Sequence, residues 1–400
     1  MIEKDQPTDR DSNTSSTPPH RAPSPTGAWL EVAGVFGRLS LVSFGGPAAH
    51  IAMMHDEVVR RRGWLSDEEF LDLVGATNLL PGPNSTEMAM HLGSQRAGFP
   101  GLLLGGAAFI LPPMLVVLAL SDLYVRLGRT PQAGWLLYGI KPVVIAIILQ
   151  ALLQLGRQVA GRRLTLSVAA AAAVLSFIGL DEISLLLAGG ALTMLAANWR
   201  RLRPNAVAAL LGPATRLGLP LAAAAPFSLP LLFLTFLKIG AVLYGSGYVL
   251  FAFLQTDLVE RLGWLTPGQL VDAIAIGQLT PGPLFTSATF IGYLLGGIPG
   301  ALVATIGIFL PAFLFVAAAS PWIPRIRASA WARSFLDGVV AASLGLIAVV
   351  AIELGRTALV DAFTAALLAA AFLLSVRYRV NSAWLVLGGA AAGAAIQLAR

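Results

Sequence analysis

The stretch Leu80-Pro81-Gly82-Pro83-Asn84-Ser85-Thr86-Glu87 returns 200 residues later as Thr280-Pro281-Gly282-Pro283-Leu284-Phe285-Thr286-Ser287. The similarity extends upstream, because 12 of 39 positions are identical between residues 45–83 and 245–283 at this one offset. Unrelated stretches of average composition would share roughly two or three. The chain is therefore a tandem duplication whose best-preserved point is a helix breaker in a hydrophobic region. Inside a membrane, backbone leaves the helix only where it lines a cavity or is buried in protein.

The composition indicates a polytopic, all-α membrane protein. The chain has 400 residues, of which 56% are hydrophobic and 12% are charged, and its mean hydropathy is +0.75. Soluble domains carry about 25% charged residues. The net charge of +6 comes mainly from arginines in short loops, which is typical of cytoplasmic loops rather than of a nucleic-acid surface. There is no cysteine, which excludes disulfides, thiolate catalysis and cysteine-ligated metals.

Long apolar runs divide the chain into two halves. They cover residues 30–55, 99–121, 135–155, 164–180, 183–197, 229–253, 299–319, 335–353, 357–375 and 383–398. Most are long enough to span a bilayer. We expect a disordered polar tail, an N-terminal repeat, a linker and a C-terminal repeat at residues 1–28, 29–197, 198–228 and 229–400, respectively. The tail has no apolar core of a secretory signal peptide.

The runs on either side of the first Pro-Gly-Pro, residues 69–80 and 84–95, are too short to cross a membrane. They form either one broken transmembrane helix or a re-entrant hairpin. With a re-entrant hairpin, five spans per half and the amino terminus outside, 16 basic residues lie inside and 8 outside. A spanning hairpin weakens this asymmetry. An odd number of spans inverts the second copy, so the charge pattern favours an inverted repeat, as in many secondary transporters.

The Pro-Gly-Pro motif predicts a helix end, a turn and a new helix. Pro81 ends the incoming helix, Gly82 supplies the free dihedral angles of a turn, and Pro83 suits the first position of the next helix. The N–H groups that follow have no helical partner and can bind an anion. In an inverted repeat, Pro281-Gly282-Pro283 brings a second such helix start from the opposite side. The alternative is a kinked helix pair whose loose N–H groups are capped by hydroxyl side chains, namely those of Ser85, Thr86, Thr286 and Ser287.

A second repeated motif, a cluster of glycine and proline, lies in the first apolar run of each half. Phe44-Gly45-Gly46-Pro47 is matched by Tyr244-Gly245-Ser246-Gly247. Clustered glycine and proline indicate another helix break or a very close helix contact. Tight packing and direct contact with a substrate explain this cluster equally well.

Three basic residues fall inside apolar runs, namely Arg38, its repeat counterpart Lys238, and Lys141. A cation within a membrane is costly and is a candidate functional residue. Arg38 and Lys238 precede Gly45 and Gly245 by two helical turns and share their helix face. They could bind an anionic substrate or extend to the membrane interface. Lys141 lies near the start of its run, where extension to the interface is the better explanation.

Acidic residues suggest two further roles. Glu87 is the carboxylate of the polar half-helix, and Ser287 replaces it in the second copy. A carboxylate in a membrane can carry a proton, and Glu87 could equally cap its helix. His91, four residues later, could share that proton or pair with Glu87. An acidic and a basic residue recur at equivalent positions of the two halves, as Asp72 with Arg61 and as Asp272 with Arg261. This repeated pair predicts a structural ion pair beside each hairpin.

No enzyme signature is present. His50 and His55 are five residues apart and lack the glutamate of a zinc-protease helix, so the metal signal is weak. There is no phosphate-binding loop with its lysine, which argues against ATP as the energy source. We expect no catalytic residue, no cofactor and no metal site. An intramembrane enzyme using His50, His55 and His91 is the least favoured class.

The motifs together resemble the chromate ion transporter family in its long, two-domain form. The resemblance rests on Phe44-Gly45-Gly46-Pro47, Gly63-Trp64-Leu65, Leu80-Pro81-Gly82-Pro83 and their second copies, and it covers about residues 30–400. The second copy departs from the first at Ser246 and Gly247 and lacks the equivalents of Asn84 and Glu87. The two halves are therefore expected to contribute unequally.

This resemblance implies chromate export across the bacterial inner membrane and chromate resistance. Because a dianion gains free energy on leaving an inside-negative cell, export could run on membrane potential alone or with proton exchange through Glu87. A transporter of sulfate or another oxyanion, an anion channel and an anion sensor remain alternatives. The expected partners are the oxyanion and the lipid bilayer, with no nucleic acid, and a homodimer is a candidate assembly. The candidate substrate contacts are Gly45, Gly46, Pro47, Pro81, Gly82, Pro83, Asn84, Ser85, Thr86, Gly245, Ser246, Pro281, Gly282, Pro283, Thr286, Arg38 and Lys238.

Overall fold

The computed structural model describes residues 25–127, 130–199, 226–244, 247–319, 322, 326 and 329–399. These residues form helices and no strand. The first half comprises α1 Pro25–Val42, α2 Pro47–His55, α3 Asp67–Thr77, α4 Asn84–Leu127, α5 Pro131–Val159, α6 Arg163–Phe177 and α7 Glu182–Asn198. The second half comprises α8 Leu229–Val242, α9 Leu250–Leu254, α10 Pro267–Leu279, α11 Ser287–Ala319, α12 Ala330–Ala358, α13 Ala362–Arg377 and α14 Ser382–Leu398. Most of the predicted tail and linker lies outside the described residues.

The two halves repeat the same order of elements in detail. A π-helix follows α2 at Asp56–Arg61, and another follows α9 at Gln255–Arg261. A capping box starts α3 at Ser66 and α10 at Thr266. Each hydroxyl accepts from the backbone N–H of the third helical residue, and the side chain of that residue, Glu69 or Gln269, accepts from the N-cap backbone N–H. The predicted all-helical fold with two homologous halves is confirmed. Within the described residues, four helical stretches are long and apolar enough to cross a membrane, namely Asn84–Leu127, Pro131–Val159, Leu284–Ala319 and Ala330–Ala358.

The first apolar run is not one continuous helix. It breaks between Val42 and Pro47, where Gly45 has a φ of +114°, a conformation that residues with a side chain rarely adopt. The chain then turns back on itself, because Arg38 of α1 pairs with Glu57 of the following π-helix at 2.5 Å. Of the two alternatives for the glycine cluster, the structure has the helix break, and α1 and α2 form a helical hairpin. The equivalent run of the second half also ends its first helix, α8, at Val242.

The Pro-Gly-Pro hairpin is re-entrant. Arg62, just before α3, binds Glu31 at 2.8 Å, and Arg96, near the end of the first part of α4, binds the same carboxylate at 2.7 Å. The two outer ends of the hairpin therefore lie on one side of the protein. In the second half, Phe227 takes the place of this carboxylate. Its ring packs edge-on against Trp264 with centroids 5.2 Å apart and lies against Gly296.

The long helix α4 itself folds into two antiparallel parts. The backbone is non-helical at Ala97 and at Gly98, whose φ is +63°. Beyond this break, Gly101 lies so close to Gly93 that a side chain on either would overlap the other's backbone. The second half repeats the arrangement, with a break at Gly296 and Gly297 in α11. Each half thus carries a short helix from its Pro-Gly-Pro to the surface and a long helix back across the protein.

The second half is inverted relative to the first. Tyr138 near the start of α5 donates a hydrogen bond to Asp361 at the start of α13. Arg162 at the start of α6 pairs with Asp337 near the start of α12. Because α12 is the repeat counterpart of α5 and α13 that of α6, corresponding helices start on opposite sides of the protein. The predicted inverted repeat is therefore confirmed.

The inversion collects most described arginines on one side of the protein, called here the arginine-rich side. It carries Arg60, Arg61, Arg62, Arg96, Arg157, Arg162, Arg163, Arg333, Arg377 and Arg379, whereas Arg126, Arg261 and Arg356 belong to the far side. The amino terminus was predicted to lie on the side opposite most of the arginines, and this prediction is wrong. Glu31 near the start of α1 contacts Arg62 and Arg96, so α1 starts on the arginine-rich side rather than opposite to it. The break at Gly45 is the reason, because it returns α2 to the side from which α1 came.

Candidate functional site

The helix breaks of both halves meet at the centre of the protein. The N–H of Gly82 in the first Pro-Gly-Pro donates to the carbonyl of Leu243 at the end of α8, at 2.8 Å. The N–H of Gly282 donates to the carbonyl of Ser43 after α1, also at 2.8 Å. Each Pro-Gly-Pro therefore satisfies an orphan carbonyl from the other half. The two bonds are related by the pseudo-symmetry of the inverted repeat.

Helix beginnings surround a small cavity beside these turns. Its volume is about 30 Å³. It is lined by the starts of α2 at Pro47, of α4 at Asn84, and of the short 3₁₀ helix Leu284–Thr286 that leads into α11. His50, Tyr248, Gln278 and Thr280 also line it. The first N–H groups of a helix have no partner within the helix and carry the positive end of its dipole. Three such ends around one cavity are an arrangement that suits an anion.

A large vestibule connects the small cavity with the arginine-rich side. Its volume is about 810 Å³, and it shares the lining residues Gly45, Gly46, Pro47, Asn84 and Tyr248 with the small cavity. The Tyr248 hydroxyl lies next to Gly46, at the boundary between the two spaces. Farther out, the vestibule is lined by Gln154 of α5 and by Arg333 and Arg379 of the second half.

The far side of the same centre is packed. Residues 249–255 of the second half are all buried. They correspond to residues 49–55 of the first half, of which Ala49 and Ile51 line the vestibule. Phe251 and Phe253 are 1% and 0% exposed, whereas their counterparts Ile51 and Met53 are only partly buried. The two inverted halves thus have unequal packing. The structure is open to the arginine-rich side and closed to the other.

Glu87 and His91 lie behind the first Pro-Gly-Pro, outside both cavity linings. Glu87 is 0% exposed, and neither of its carboxylate oxygens has a hydrogen-bond partner among the described residues. One of these oxygens packs against Gly82, whose φ is +143°. The Nε2 atom of His91, which is 4% exposed, is also without a partner in the described part of the chain. In the second half, Ser287 occupies the position of Glu87 and donates to the carbonyl of Leu284 at 2.9 Å.

The embedded cations are in ion pairs. Lys238 contacts Asp257 at 2.5 Å, as Arg38 contacts Glu57. Lys141 lies 3.8 Å from Asp272, which also accepts from the Tyr124 hydroxyl at 2.8 Å. The ion pair predicted between Asp272 and Arg261 is wrong, because Arg261 pairs with Asp257. Arg61 likewise contacts two carboxylates of its own π-helix, those of Asp56 and Glu57.

The structure gathers eight of the predicted substrate contacts around the small cavity, namely Gly45, Gly46, Pro47, Pro83, Asn84, Ser85, Gly282 and Pro283. Pro81, Gly82, Thr86, Pro281 and Thr286 lie behind this lining, in the hairpin tips. Arg38 and Lys238 are absent from the linings of both described cavities, and their role in substrate binding stays a prediction. Gly245 and Ser246 lie outside the described residues.

Comparison with known proteins agrees with the motifs and the fold. A sequence model of a family described as chromate transporter matches residues 30–194 and again residues 231–394. The chain belongs to the chromate transporter family. It is 33% identical over 379 residues to the chromate transport protein of Cupriavidus metallidurans, which covers 92% of this chain and 93% of that protein. It is 32% identical to the chromate transport protein of Pseudomonas aeruginosa, over 86% of this chain and 84% of the relative.

The family extends to more distant proteins. An uncharacterized transporter of Methanocaldococcus jannaschii is 25% identical over 80% of this chain and 82% of its own length. No solved structure shows a significant match. Membership in this family, together with the apolar helices, identifies a multi-pass membrane protein.

Several residues that line the two cavities of this member of the chromate transporter family were not predicted from the sequence. Asn78 and Gln278 are repeat counterparts, each three residues before its Pro-Gly-Pro, and both line a cavity. An amide repeated at one position of two apolar runs was the signal that could have found them. Tyr248 has no such signal, because Ala48 is its counterpart. Only the packing of the two halves brings its ring to the boundary between the cavities.

Proposed function

We propose that this chain is a secondary transporter that exports chromate across the bacterial inner membrane and so gives chromate resistance. One observation carries the proposal. Three helix beginnings, at Pro47, Asn84 and Leu284, surround one central cavity that continues into a vestibule. In a member of the chromate transporter family, this arrangement is suited to an oxyanion.

The chemistry of chromate fits the donors at this centre. Chromate is a tetrahedral dianion whose oxygens accept hydrogen bonds in all directions and whose surface has no apolar part. The proposed site offers backbone N–H groups at the helix beginnings, the amide of Asn84 and the hydroxyl of Ser85. The Asn84 amide already donates to Asn78 at 2.8 Å, which orients it beside the cavity. Sulfate and molybdate are also oxyanions that bind to the same hydrogen-bond donors, so they are alternative substrates.

The proposed direction follows from charge. The positive-inside rule assigns the arginine-rich side to the cytoplasm. The vestibule then opens to the cytoplasm, where the ion would be loaded. Moving one charge through 100 mV is worth about 2.3 kcal/mol, so a dianion leaving an inside-negative cell gains about 4.6 kcal/mol for every 100 mV. Membrane potential is therefore a sufficient driving force for export.

In the proposed transport cycle, the segment after the glycine break is partly exposed in one half and buried in the other, and the two halves alternate between these environments. In the state described, Ala49 and Ile51 line the open vestibule, whereas the second-half counterparts of this segment are buried. An outward-open state would reverse these environments about the fixed central turns, as other inverted-repeat transporters do. Glu87 is the proposed proton carrier of this cycle, because its carboxylate is buried without a hydrogen-bond partner in the described chain.

Uptake of radioactive chromate into everted membrane vesicles tests the proposal. We expect saturable uptake that requires the protein and increases with an imposed inside-positive potential. No uptake above that of vesicles lacking the protein, with folded protein present, would refute the function. Competition by sulfate and molybdate ranks the substrates. Counterflow of preloaded chromate indicates a carrier, whereas unitary currents would identify a channel, and binding without flux would identify a sensor.

A further inference from the structure

Three glutamines form a polar stripe on the wall of the vestibule. Gln150, Gln154 and Gln158 are spaced four residues apart on α5, which places them on one helix face, and all three line the vestibule. Arg333 and Arg379 line the same space. The carboxylate of Asp337, also in the lining, is engaged by Arg162 from outside the lining. The stripe therefore shares the vestibule with two arginines.

The far-side positions that correspond to this stripe include a carboxylate. Helices α5 and α12 both contain 29 residues, so Gln150, Gln154 and Gln158 correspond to Val349, Glu353 and Thr357. The counterpart of Arg379 is Gly179, which also has a positive φ. The counterpart of Arg60 is Glu260, whose charge reaches Glu353. The far side therefore has Glu353 at the position of Gln154 and glycine at the position of Arg379, although Arg356 also lies near Glu353.

We propose that Gln150, Gln154 and Gln158, with Arg333 and Arg379, form a capture site for tetrahedral oxyanions in the vestibule, outside the central cavity. Side-chain amides donate hydrogen bonds to oxyanion oxygens, and the arginines supply the charge. This inference rests on the proposed transport function and adds the place where the ion is first bound. The carboxylates of the opposite mouth disfavour rebinding of an anion after its release.

Exchanging residues between the two mouths tests the capture site. Gln154→Glu installs the residue of position 353, and Arg379→Gly installs that of position 179. Initial rates of chromate uptake into everted vesicles give KM and Vmax for loading from the arginine-rich side. For each variant we expect KM to rise about five-fold at low ionic strength, and by about two-fold at 0.15 M salt, because salt screens a wet vestibule. Vmax should change less than two-fold.

Two further variants separate charge from structural damage. Gln154→Lys should lower KM at low salt, whereas a merely structural perturbation would raise KM for both substitutions at this position. Arg157→Gln is the matched control, because Arg157 is an exposed arginine of the same helix that is not part of the vestibule lining. We expect it to leave KM within a factor of two of the unmodified protein.

The outcomes distinguish the two proposals. If the unmodified protein takes up no chromate, the transport function itself fails. If it takes up chromate with the same KM and the same salt dependence in Gln154→Glu, Gln154→Lys and Arg379→Gly, the capture site is refuted while the transport function stands. An equal rise of KM in Arg157→Gln would also refute it, because the effect would then reflect overall charge rather than the vestibule.

Discussion

The N–H of Gly82 donates a 2.8 Å hydrogen bond to the carbonyl oxygen of Leu243, and this bond joins the two halves at their centre. Its inverted counterpart runs from Gly282 to Ser43 at the same length. Each Pro-Gly-Pro turn is thus held by the helix break of the opposite half. The centre of the protein is built by both repeats together, so neither half contains a complete site.

Gly82→Ala and Gly282→Ala should both destabilise this centre. The φ angles of +143° and +90° are strained for any residue with a side chain. The added methyl group would also overlap Glu87 in one case and Pro113 of the other half in the second. We expect a loss of about 1–3 kcal/mol per substitution and of most transport. Thermal unfolding in detergent and vesicle uptake measure the two effects.

The control for these glycine variants is Gly37→Ala, at a helical glycine where an added methyl group meets nothing within 4 Å. It should match the unmodified protein. Normal stability and transport in both hairpin variants would contradict the role of these turns.

Glu87→Gln should uncouple transport from the pH gradient. Glutamine has almost the same shape as glutamate but cannot take up and release a proton, so packing behind Gly82 is retained. We expect uptake driven by membrane potential to persist, while any stimulation by a pH gradient disappears. The measurement is chromate uptake at a fixed potential, with and without an imposed pH gradient.

Glu68→Gln removes an exposed carboxylate that lies outside both cavity linings and serves as the control for Glu87. It should respond to the pH gradient as the unmodified protein does. An unchanged response in Glu87→Gln, where the unmodified protein is stimulated, would exclude Glu87 as the proton carrier.

Lys238→Gln should act through the loss of an ion pair. Asp257 is 1% exposed and contacts both Lys238 and Arg261, so removing one partner leaves it poorly compensated. We expect a loss of about 1–3 kcal/mol, less than for a fully isolated buried pair, because Arg261 remains and Lys238 is 23% exposed. The equivalent Arg38→Gln should cost about 0–1 kcal/mol, because the Arg38 side chain is 58% exposed. Thermal unfolding measures both changes.

A double variant decides between the structural and the substrate-binding role of Lys238. Lys238→Gln combined with Asp257→Asn removes both charges of the pair. If the pair is structural, the double variant should regain stability and transport. If it is stable yet transports no chromate, Lys238 binds the substrate as its position in the sequence suggests.

Cysteine labelling should reveal the unequal packing of the two halves. The chain contains no cysteine, so the unmodified protein is an unreactive background. Ala49 is partly buried and lines the vestibule, whereas its repeat counterpart Val249 is 0% exposed. A membrane-impermeant maleimide added to everted vesicles should label Ala49→Cys at least ten times faster than Val249→Cys. Equal rates at the two positions would contradict the inward-open arrangement.

Much of the fold could be predicted from the sequence because the signals are local or repeated. The duplication was visible in residues 45–83 and 245–283, and the arginine asymmetry indicated inversion before any contact was known. The helix breaks at Gly45 and Gly82 follow from glycine and proline, whose effect on the backbone does not depend on distant residues. Eight candidate contacts around these breaks accordingly line the central cavity.

The errors arose where a residue's role depends on a distant partner. A break at Gly45 was one of two alternatives for the glycine cluster, and its effect on the topology was not predicted. Only the pairing of Glu31 with Arg62 and Arg96 shows that α2 returns to the side where α1 began. Arg261 was paired in the sequence with Asp272, whereas the π-helix brings it to Asp257. An ion pair forms only when two opposite charges lie close together in space, and a repeat in the sequence does not show which charges are close.

The sequence by itself determined that this protein is a duplicated, helical membrane protein with helix breaks at two Pro-Gly-Pro motifs, where we propose that its functional centre lies. Composition, periodic apolar runs and proline and glycine chemistry are sufficient for that, since they act through the local backbone and the lipid environment. The tertiary structure alone decided that Gly82 pairs with Leu243 and Gly282 with Ser43. It also decided that, among the described residues, the centre opens through the vestibule to the arginine-rich side. The physical reason is that these properties come from packing two inverted halves against each other, where near-identical motifs occupy different surroundings.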